Sequence, residues 1–451
     1  MKRLLSLREL SSMNRWLHLL RSDSTIPPEY RANFFHLYLD VAWYGVLNAS
    51  ALTFLSVFAA RQGGTPLQVG LLSAGPAVMN LLVAMPIGHW LKRQPIGRAV
   101  FWTSIAHRVF YLLWVPLPML LPPALQVWAL IGLTLAMSVP GAALAIGFNA
   151  LFAEAVPPAW RGHVAGIRNA LLAVASVMSA LVCGRILTTL PFPLGYQVVF
   201  SIGAVAALMS SFHLWFVQPL EQKPSSSPKE ETGRPWGQHT QPDQHTHQHL
   251  SAQVGKPLRT FIFDLLRVEI LREPFAKVLL ALFVFHITQF VAVPVVPVFM
   301  VKTLHLQDQQ IGLATAVFWL SAFASSTQLA HLCRVRGHQV ATGIGAMLMA
   351  FYPGLMVFGI SLGMAAVLAA SCLGGVGYAW MSGAFLNYIL ERVPQHDRPP
   401  YLAWYNIAFN AAILIGSLLG PFTATSLGFV PALALFAVAR VAAGLIIIKG
   451  G

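Results

Sequence analysis

Glu154-Ala155-Val156-Pro157-Pro158-Ala159-Trp160-Arg161, running on to Arg168-Asn169, returns as Glu391-Arg392-Val393-Pro394-Gln395-His396-Asp397-Arg398, running on to Tyr405-Asn406. Glu, Val, Pro, Arg and Asn recur at an offset of 237 residues, and Phe148 recurs as Phe385. A second echo sets Gln68-Val69-Gly70-Leu71 with Ala74 against Gln310-Ile311-Gly312-Leu313 with Ala316, at an offset of 242. Two copies of about 200 residues that differ by small insertions account for both offsets. Both echoes fall where long apolar stretches begin or end, so the duplication concerns the architecture of those stretches.

The solvent for that architecture follows from composition. Of 451 residues, 56% are hydrophobic and 10% charged, against roughly 25% charged in a soluble domain. Ala32 to Ala60, Ala124 to Phe152 and Ala341 to Cys372 run almost without charge, over lengths that cross ~30 Å of hydrocarbon as helices. A net charge of +14 raises the question of a nucleic-acid partner, but the basic residues are scattered at segment ends and form no stripe; no nucleic acid is expected. Cys183, Cys333 and Cys372 have neither ligand spacing nor a disulfide pattern. No phosphate-cradling GxxxxGK[ST] loop is present, and no nucleophile, base and orienting group share a depth, so neither an enzyme nor a cofactor is expected.

Apolar runs read against charges and prolines give twelve spans, near 33–59, 66–91, 98–120, 123–152, 164–189, 195–218, 276–300, 309–333, 338–358, 361–389, 402–424 and 427–448. Gly63-Gly64-Thr65-Pro66, Pro122-Pro123, Pro191-Phe192-Pro193 and Pro399-Pro400 mark turns between them. With the N-terminus inside, six basic residues before Ala32, then Lys92, Arg93, Arg98, Arg161, Arg168, Arg334, Arg336, Arg392 and Arg398 all face the cytoplasm. Only Arg61, Arg185 and Lys302 remain outside. The positive-inside rule therefore places both termini in the cytoplasm. Residues 1–32 read as a cytoplasmic segment whose Leu4 to Leu20 is amphipathic, with no cleavable signal peptide. Residues 33–218 and 276–451 each carry six spans.

Between them, residues 219–275 change abruptly to Glu, Lys, Ser, Pro, Gln and His. Residues Glu221 to Val254 offer little to bury and read as disordered. His239, His245, His247 and His249 lack the Cys or Asp needed to close a metal site, so no metal is expected. The linker ends in an amphipathic helix opened by Pro257, with Phe261, Leu265, Leu266, Ile270 and Leu271 on its apolar side.

Two six-helix halves joined by a cytoplasmic linker resemble the major facilitator superfamily of secondary transporters, from about Asn33 to the C-terminus. The family signature between the second and third helices is matched by Gly88-His89-Trp90-Leu91-Lys92-Arg93-Gln94-Pro95-Ile96-Gly97-Arg98, with Lys92 where the family carries an acidic residue. The resemblance implies an all-α polytopic membrane protein with twelve transmembrane helices in two pseudo-symmetric bundles. It also implies a plasma membrane location, in bacteria the inner membrane, and a monomer that moves a small molecule by alternating access, with protons as possible coupling ions. The departure at Lys92 leaves open a transport-inactive receptor, scaffold or lipid-handling protein on the same fold.

The polar residues in the spans carry the remaining expectations. Asp40 lies about seven residues into the first span, with His36 one turn below and Asn48 two turns above. A carboxylate in hydrocarbon must protonate or find a partner, so Asp40 is either a proton-coupling group or half of a structural pair. Arg108, mid-span beside His107, must likewise pair or snorkel. In the resembled fold the first, fourth, seventh and tenth helices line the cavity. That makes Asn48, Asn149, His286, Gln289, Tyr378 and Asn387 candidate substrate-binding residues, with Trp43, Tyr44, Phe285 and Trp380 beside them. His286 and Gln289, three apart, share a face, and His286 is a second coupling candidate. This mainly uncharged, aromatic set favours export of a neutral or amphipathic compound. Gate candidates at the cytoplasmic helix ends are Gly88, Lys92, Arg93 and Arg98, with Gly88 allowing close helix approach. The two echoes add Glu154, Arg161 and Asn169 in one half and Glu391, Arg398 and Asn406 in the other.

Overall fold

The computed structural model describes residues 26–91, 93–220, 268–272, 274–394 and 398–450. The N-terminal amphipathic segment, the linker with its four histidines and most of its helix, and Lys92 lie outside the described residues. Among the described residues everything regular is helical. Among the described residues, eleven helices are long and apolar enough to cross a membrane: α1 (Pro28–Arg61), α2 (Pro66–Leu91), α3 (Ile96–Trp114), α4 (Pro123–Ala155), α5 (Arg161–Thr189), α6 (Leu194–Trp215), α7 (Phe275–Lys302), α8 (Asp308–Met349), α9 (Met364–Leu390), α10 (Arg398–Leu427) and α11 (Phe429–Gly450).

One of these holds two expected spans. α8 runs through both 309–333 and most of 338–358, but Gly337 inside it has φ 80° and ψ 164°. That conformation is closed to residues with a side chain and is incompatible with continuing a helix. Prolines do less uniform work than their positions imply. α7 stops as a helix at Phe290 and resumes at Val295 after a turn ending in Pro294, where the missing N–H leaves helix carbonyls unpaired. Pro140 and Pro421, by contrast, sit inside unbroken α4 and α10.

A departure with no proline signal occurs in α1. Asn48–Leu52 forms a single π-helical turn, and the Asn48 carbonyl accepts both the backbone N–H and, at 2.8 Å, the hydroxyl of Thr53. Such one-turn insertions cluster at functional sites because they re-aim the side chains that follow.

The chain forms two compact units. The first comprises the described residues of Met1–Phe54, Val83–Leu121 and Ala136–Leu220, the second those of Leu55–Leu82, Pro122–Leu135 and Glu221–Gly451. At one end of the first unit, Phe34 and Leu37 of α1 pack with Leu151 and Val156 at the end of α4, Val164 of α5 and Leu214 of α6. Asn33 ties that end together, its Nδ2 donating to Gln218 O at 2.7 Å and its Oδ1 accepting the Gln218 N–H at 3.0 Å. In the second unit Phe285 and Leu282 of α7 pack with Ala346, Met381, Tyr388, Tyr405 and Ala443. There α8 and α9 touch backbone to backbone, since a Cβ on Gly345 would meet Gly377 O at 2.9 Å.

Candidate functional site

The first unit buries a charge cluster between its helices. Asp40 is 4% exposed, and its Oδ2 accepts Arg168 Nη1 at 3.2 Å and Nη2 at 3.3 Å. Its Oδ1 accepts the Ser210 hydroxyl and faces Arg108 Nη2 at 3.8 Å. Arg108 Nη1 donates to Ser211 Oγ at 3.0 Å, and Ser211 bonds Ser104 at 2.6 Å. Arg168 also donates to Leu37 O at 2.7 Å and lies over the Phe148 ring, 4.8 Å from its centroid. Taking a carboxylate out of water costs several kcal/mol unless paired and hydrogen-bonded; here both oxygens are met and two cations flank one anion. Arg108 thus pairs without snorkelling. His107, its neighbour, turns away to Met137 O at 2.8 Å, into space that a Cβ on Gly141 would take, 2.8 Å from Nδ1.

The second unit builds the corresponding place from neutral groups. His286 is 3% exposed; its Nε2 lies 3.0 Å from the Tyr405 hydroxyl and its Nδ1 3.3 Å from Gln289 Oε1. A ring carrying its proton on Nδ1 satisfies both, donating to the amide oxygen and accepting the phenol proton. Phe409 and Phe385 stand edge-on to the imidazole at 4.7 and 6.3 Å. Behind it Arg440, 2% exposed, donates to Thr288 O at 2.6 Å, Gln289 O at 3.0 Å and Met349 O at 3.0 Å. Those carbonyls end the first stretch of α7 and the last turn of α8, so the guanidinium sits at the negative poles of two helix ends. Among the described residues no carboxylate pairs with it.

The two places are related by the sequence echo. Arg168 and Tyr405 stand at the same repeat position, as do Phe148 and Phe385. In one unit Phe148 lies under Arg168, which binds Asp40 of α1. In the other Phe385 packs on Tyr405 at 5.8 Å, and Tyr405 binds His286 of α7. Sequence reading found Asp40, Arg108, His286 and Gln289 but missed Arg168, Ser210 and Tyr405 as their partners. The echo already contained the signal for two of these.

The other substrate candidates are less converged. Asn48 is half-buried at the start of the π turn, while Asn149 and Asn387 are exposed. Tyr378 packs against Phe318 at 5.6 Å and Trp319 at 5.9 Å. Among the candidates, His286 and Gln289 are in direct contact.

The gate candidates divide by half. Arg161 folds back on its own loop, donating to Ala153 O at 2.7 Å and Val156 O at 3.2 Å; Glu154 and Asn169 are exposed. In the second copy Glu391 accepts His338 Nδ1 at 2.6 Å, one residue past the Gly337 break. Arg392, where the first copy has Ala155, donates to Gln339 at 2.7 Å. Arg398 is half-buried, and Asn406 is exposed with its amide on Leu402 O at 3.1 Å. Arg93 and Arg98 are exposed. Gly88 corrects an expectation: a Cβ there meets nothing within 4 Å among the described residues, so no close helix approach requires it.

A contact set not anticipated from sequence lies in the second unit, at the turn after α1. Arg61 donates to Asp308 Oδ1 at 3.0 Å and to Leu306 O at 2.5 Å, and Lys302 donates to Gly64 O at 2.8 Å. Further along α2, Asn80 Nδ2 donates to Asn410 Oδ1 at 3.1 Å. Two of the three basic residues assigned outside thus bond first-half to second-half segments.

Comparison with known proteins follows the same lines. In fold the chain is similar to a D-xylose-proton symporter (15% identity, 93% of this chain and 97% of that one, TM-score 0.66). It is also similar to a bacterial homologue of the iron transporter ferroportin in its inward-facing state (14%, 93% and 98%, 0.64) and to the nucleoside transporter NupG (12%, 92% and 98%, 0.62). No curated protein sequence matches. The family model described as Major Facilitator Superfamily matches residues 41–274 and 278–449, nearly the whole described chain, and the chain belongs to the Major Facilitator Superfamily.

Proposed function

We propose that this transporter couples the movement of its solute to protons through Asp40, and that the solute is a neutral or amphipathic compound carried outward. Alternating-access transport of a small solute comes with the family. The observation that carries the coupling is the Asp40 cluster: a buried carboxylate bound by Arg168, Ser210 and Arg108. Ionised, Asp40 holds both arginines. Protonated, it releases Arg168, whose guanidinium lies on Phe148 and Phe152 of α4, so a proton on α1 changes what α4 and α5 rest against. The second unit offers His286, Gln289 and Tyr405 amid aromatic rings, groups that suit an uncharged solute with a ring or apolar face. The similar structures are titled for xylose, iron and nucleosides, so likeness alone selects no substrate.

The topology is part of this reading. α8 and the short helix after it make a stretch of 49 residues, about 73 Å at 1.5 Å per residue, more than twice ~30 Å of hydrocarbon. In this reading the chain reverses at Gly337, where the helix is broken, so the stretch makes two crossings and the count is twelve. Residues 33–218 and 276–451 then form the six-helix halves, both termini face the cytoplasm, and the protein is a monomer of the bacterial inner membrane. Arg61–Asp308 and Lys302–Gly64 lie on the outer face, where they act as a latch between the halves' outer ends.

Uptake and efflux by the purified protein in liposomes, across a panel of solutes and with and without an imposed pH gradient, tests the reading. It predicts gradient-dependent flux of at least one uncharged solute; flux indifferent to the gradient for every transported solute overturns it.

A further inference from the structure

Asp40 is buried with both oxygens occupied, so a proton that reaches or leaves it needs a route. On α1, one turn toward the helix start, stands His36; on α6, one turn past the Ser210 that binds Asp40, stands His213. Their Nδ1 atoms lie 3.1 Å apart. Two ring nitrogens at that distance share one proton, one ring donating N–H and the other accepting it. His213 is 8% exposed and stands three residues past Ser210 on α6. His36 is half-buried and stacks on Phe216 at 4.7 Å, at the end of the bundle where α1 begins and α6 stops. A buried imidazole and a half-open one thus step from the carboxylate toward the helix ends.

We propose that His213 and His36 form a proton relay between Asp40 and the cytoplasmic water, separate from the path of the solute. The inference rests on the coupling role of Asp40 argued above. In this relay a proton leaving the Asp40 carboxyl passes to the Ser210 hydroxyl that bonds it, and Ser210 gives its own proton on to His213, which shares its face of α6 at a spacing of three residues. His213 passes the proton on its Nδ1 to Nδ1 of His36, and His36 releases one to water. Each group regains what it gave, and the net change is one proton moved from Asp40 to the cytoplasm. The other charged groups on the packed elements do not compete for the step. Arg108 and Arg168 are committed to Asp40 and its serines, Arg31 bonds Ile26 O at 3.0 Å, and Glu29 and Arg98 are exposed. Among the described residues no group of three metal-ligating side chains includes the pair, so a proton is the cargo that suits it.

The experiment needs no known solute. The full-length protein in detergent is given a pH jump, and the carbonyl band of protonated Asp40 is followed by time-resolved infrared difference spectroscopy, with Asp40→Asn identifying the band. His213→Gln and His36→Gln keep a hydrogen-bonding side chain of similar reach but cannot carry the proton. Both are expected to leave the equilibrium titration of the band nearly in place and slow its relaxation by roughly 100-fold, the usual size of a lost acid–base step. Free imidazole is expected to restore the rate in His36→Ala, which a structural role would not produce. Wild-type relaxation rates in both Gln variants overturn the relay while leaving Asp40 as the coupling group. If His213→Gln does not fold, the half-exposed His36 variants decide alone. Absence of any titrating Asp40 band in the wild type overturns the coupling reading itself and the relay with it.

Discussion

The Asp40 place of the first unit and the His286 place of the second have the same frame and opposite electrostatics. Each sets a polar side chain of the first helix of a half against the residue at one repeat position on the fifth, Arg168 or Tyr405, with a phenylalanine from the fourth, Phe148 or Phe385, packed alongside. The arginines are also exchanged. The first unit draws Arg108 from α3 to meet a carboxylate, whereas the second draws Arg440 from the last helix to meet carbonyls at two helix ends. The repeated positions keep comparable partners, and the ion pair stands in the first place while the second is built on a neutral hydrogen bond. In this account the first half responds to protons and the second to solute.

The largest effect that would break the comparison is at Asp40. Asp40→Ala leaves two buried guanidiniums without an anion and is expected to cost about 3–5 kcal/mol, read as a fall in melting temperature in detergent. A double variant that also replaces Arg168 by Leu should recover part of the loss; no recovery would mean the pair is not coupled. Arg440→Met, with no anion at stake, strands three carbonyls and is expected to cost less, about 1–3 kcal/mol, accompanied by faster amide exchange after Phe290. Equal costs at the two sites would erase the distinction between an ionic half and a dipolar one.

Smaller effects sharpen it. Tyr405→Phe removes one hydrogen bond from His286 and is expected to cost about 1 kcal/mol, leaving gradient dependence intact while altering apparent solute affinity. Arg61→Ala should change stability by about 0–1 kcal/mol, because the pair with Asp308 is partly exposed and its side chains retain 29% and 12% of their accessible surface. Its effect is expected in access: a cysteine at Gln62, half-buried beside the pair, should label faster from outside, and an unchanged rate would remove the latch.

What sequence made legible follows from what is local. Spans, charge bias and the duplicated loop are read along one segment, and helix ends fall within a few residues of the hydropathy edges in most spans. The α7 break also has a local cause, because Pro294 lacks the N–H that its own helix would use. The π turn at Asn48 had no such marker, since Thr53 and the small-residue packing of Gly203 against Ser50 and Ala51 leave only ordinary residues in the sequence. Pairing across the bundle was hidden for another reason. Asp40 meets a residue 128 positions away, and nothing in an apolar pattern selects Arg168 over Arg108 until helices pack. Gly88 fits the family signature, yet its surroundings are open, so motif and packing need not coincide.

The central claim is that protonation of Asp40 drives transport. Liposomes holding the Asp40→Asn variant, loaded with a solute that the wild type moves against an imposed pH gradient, test it most directly. The account predicts that solute exchange at equal pH persists while gradient-driven accumulation disappears. Gradient-driven accumulation at the wild-type level in Asp40→Asn would contradict it.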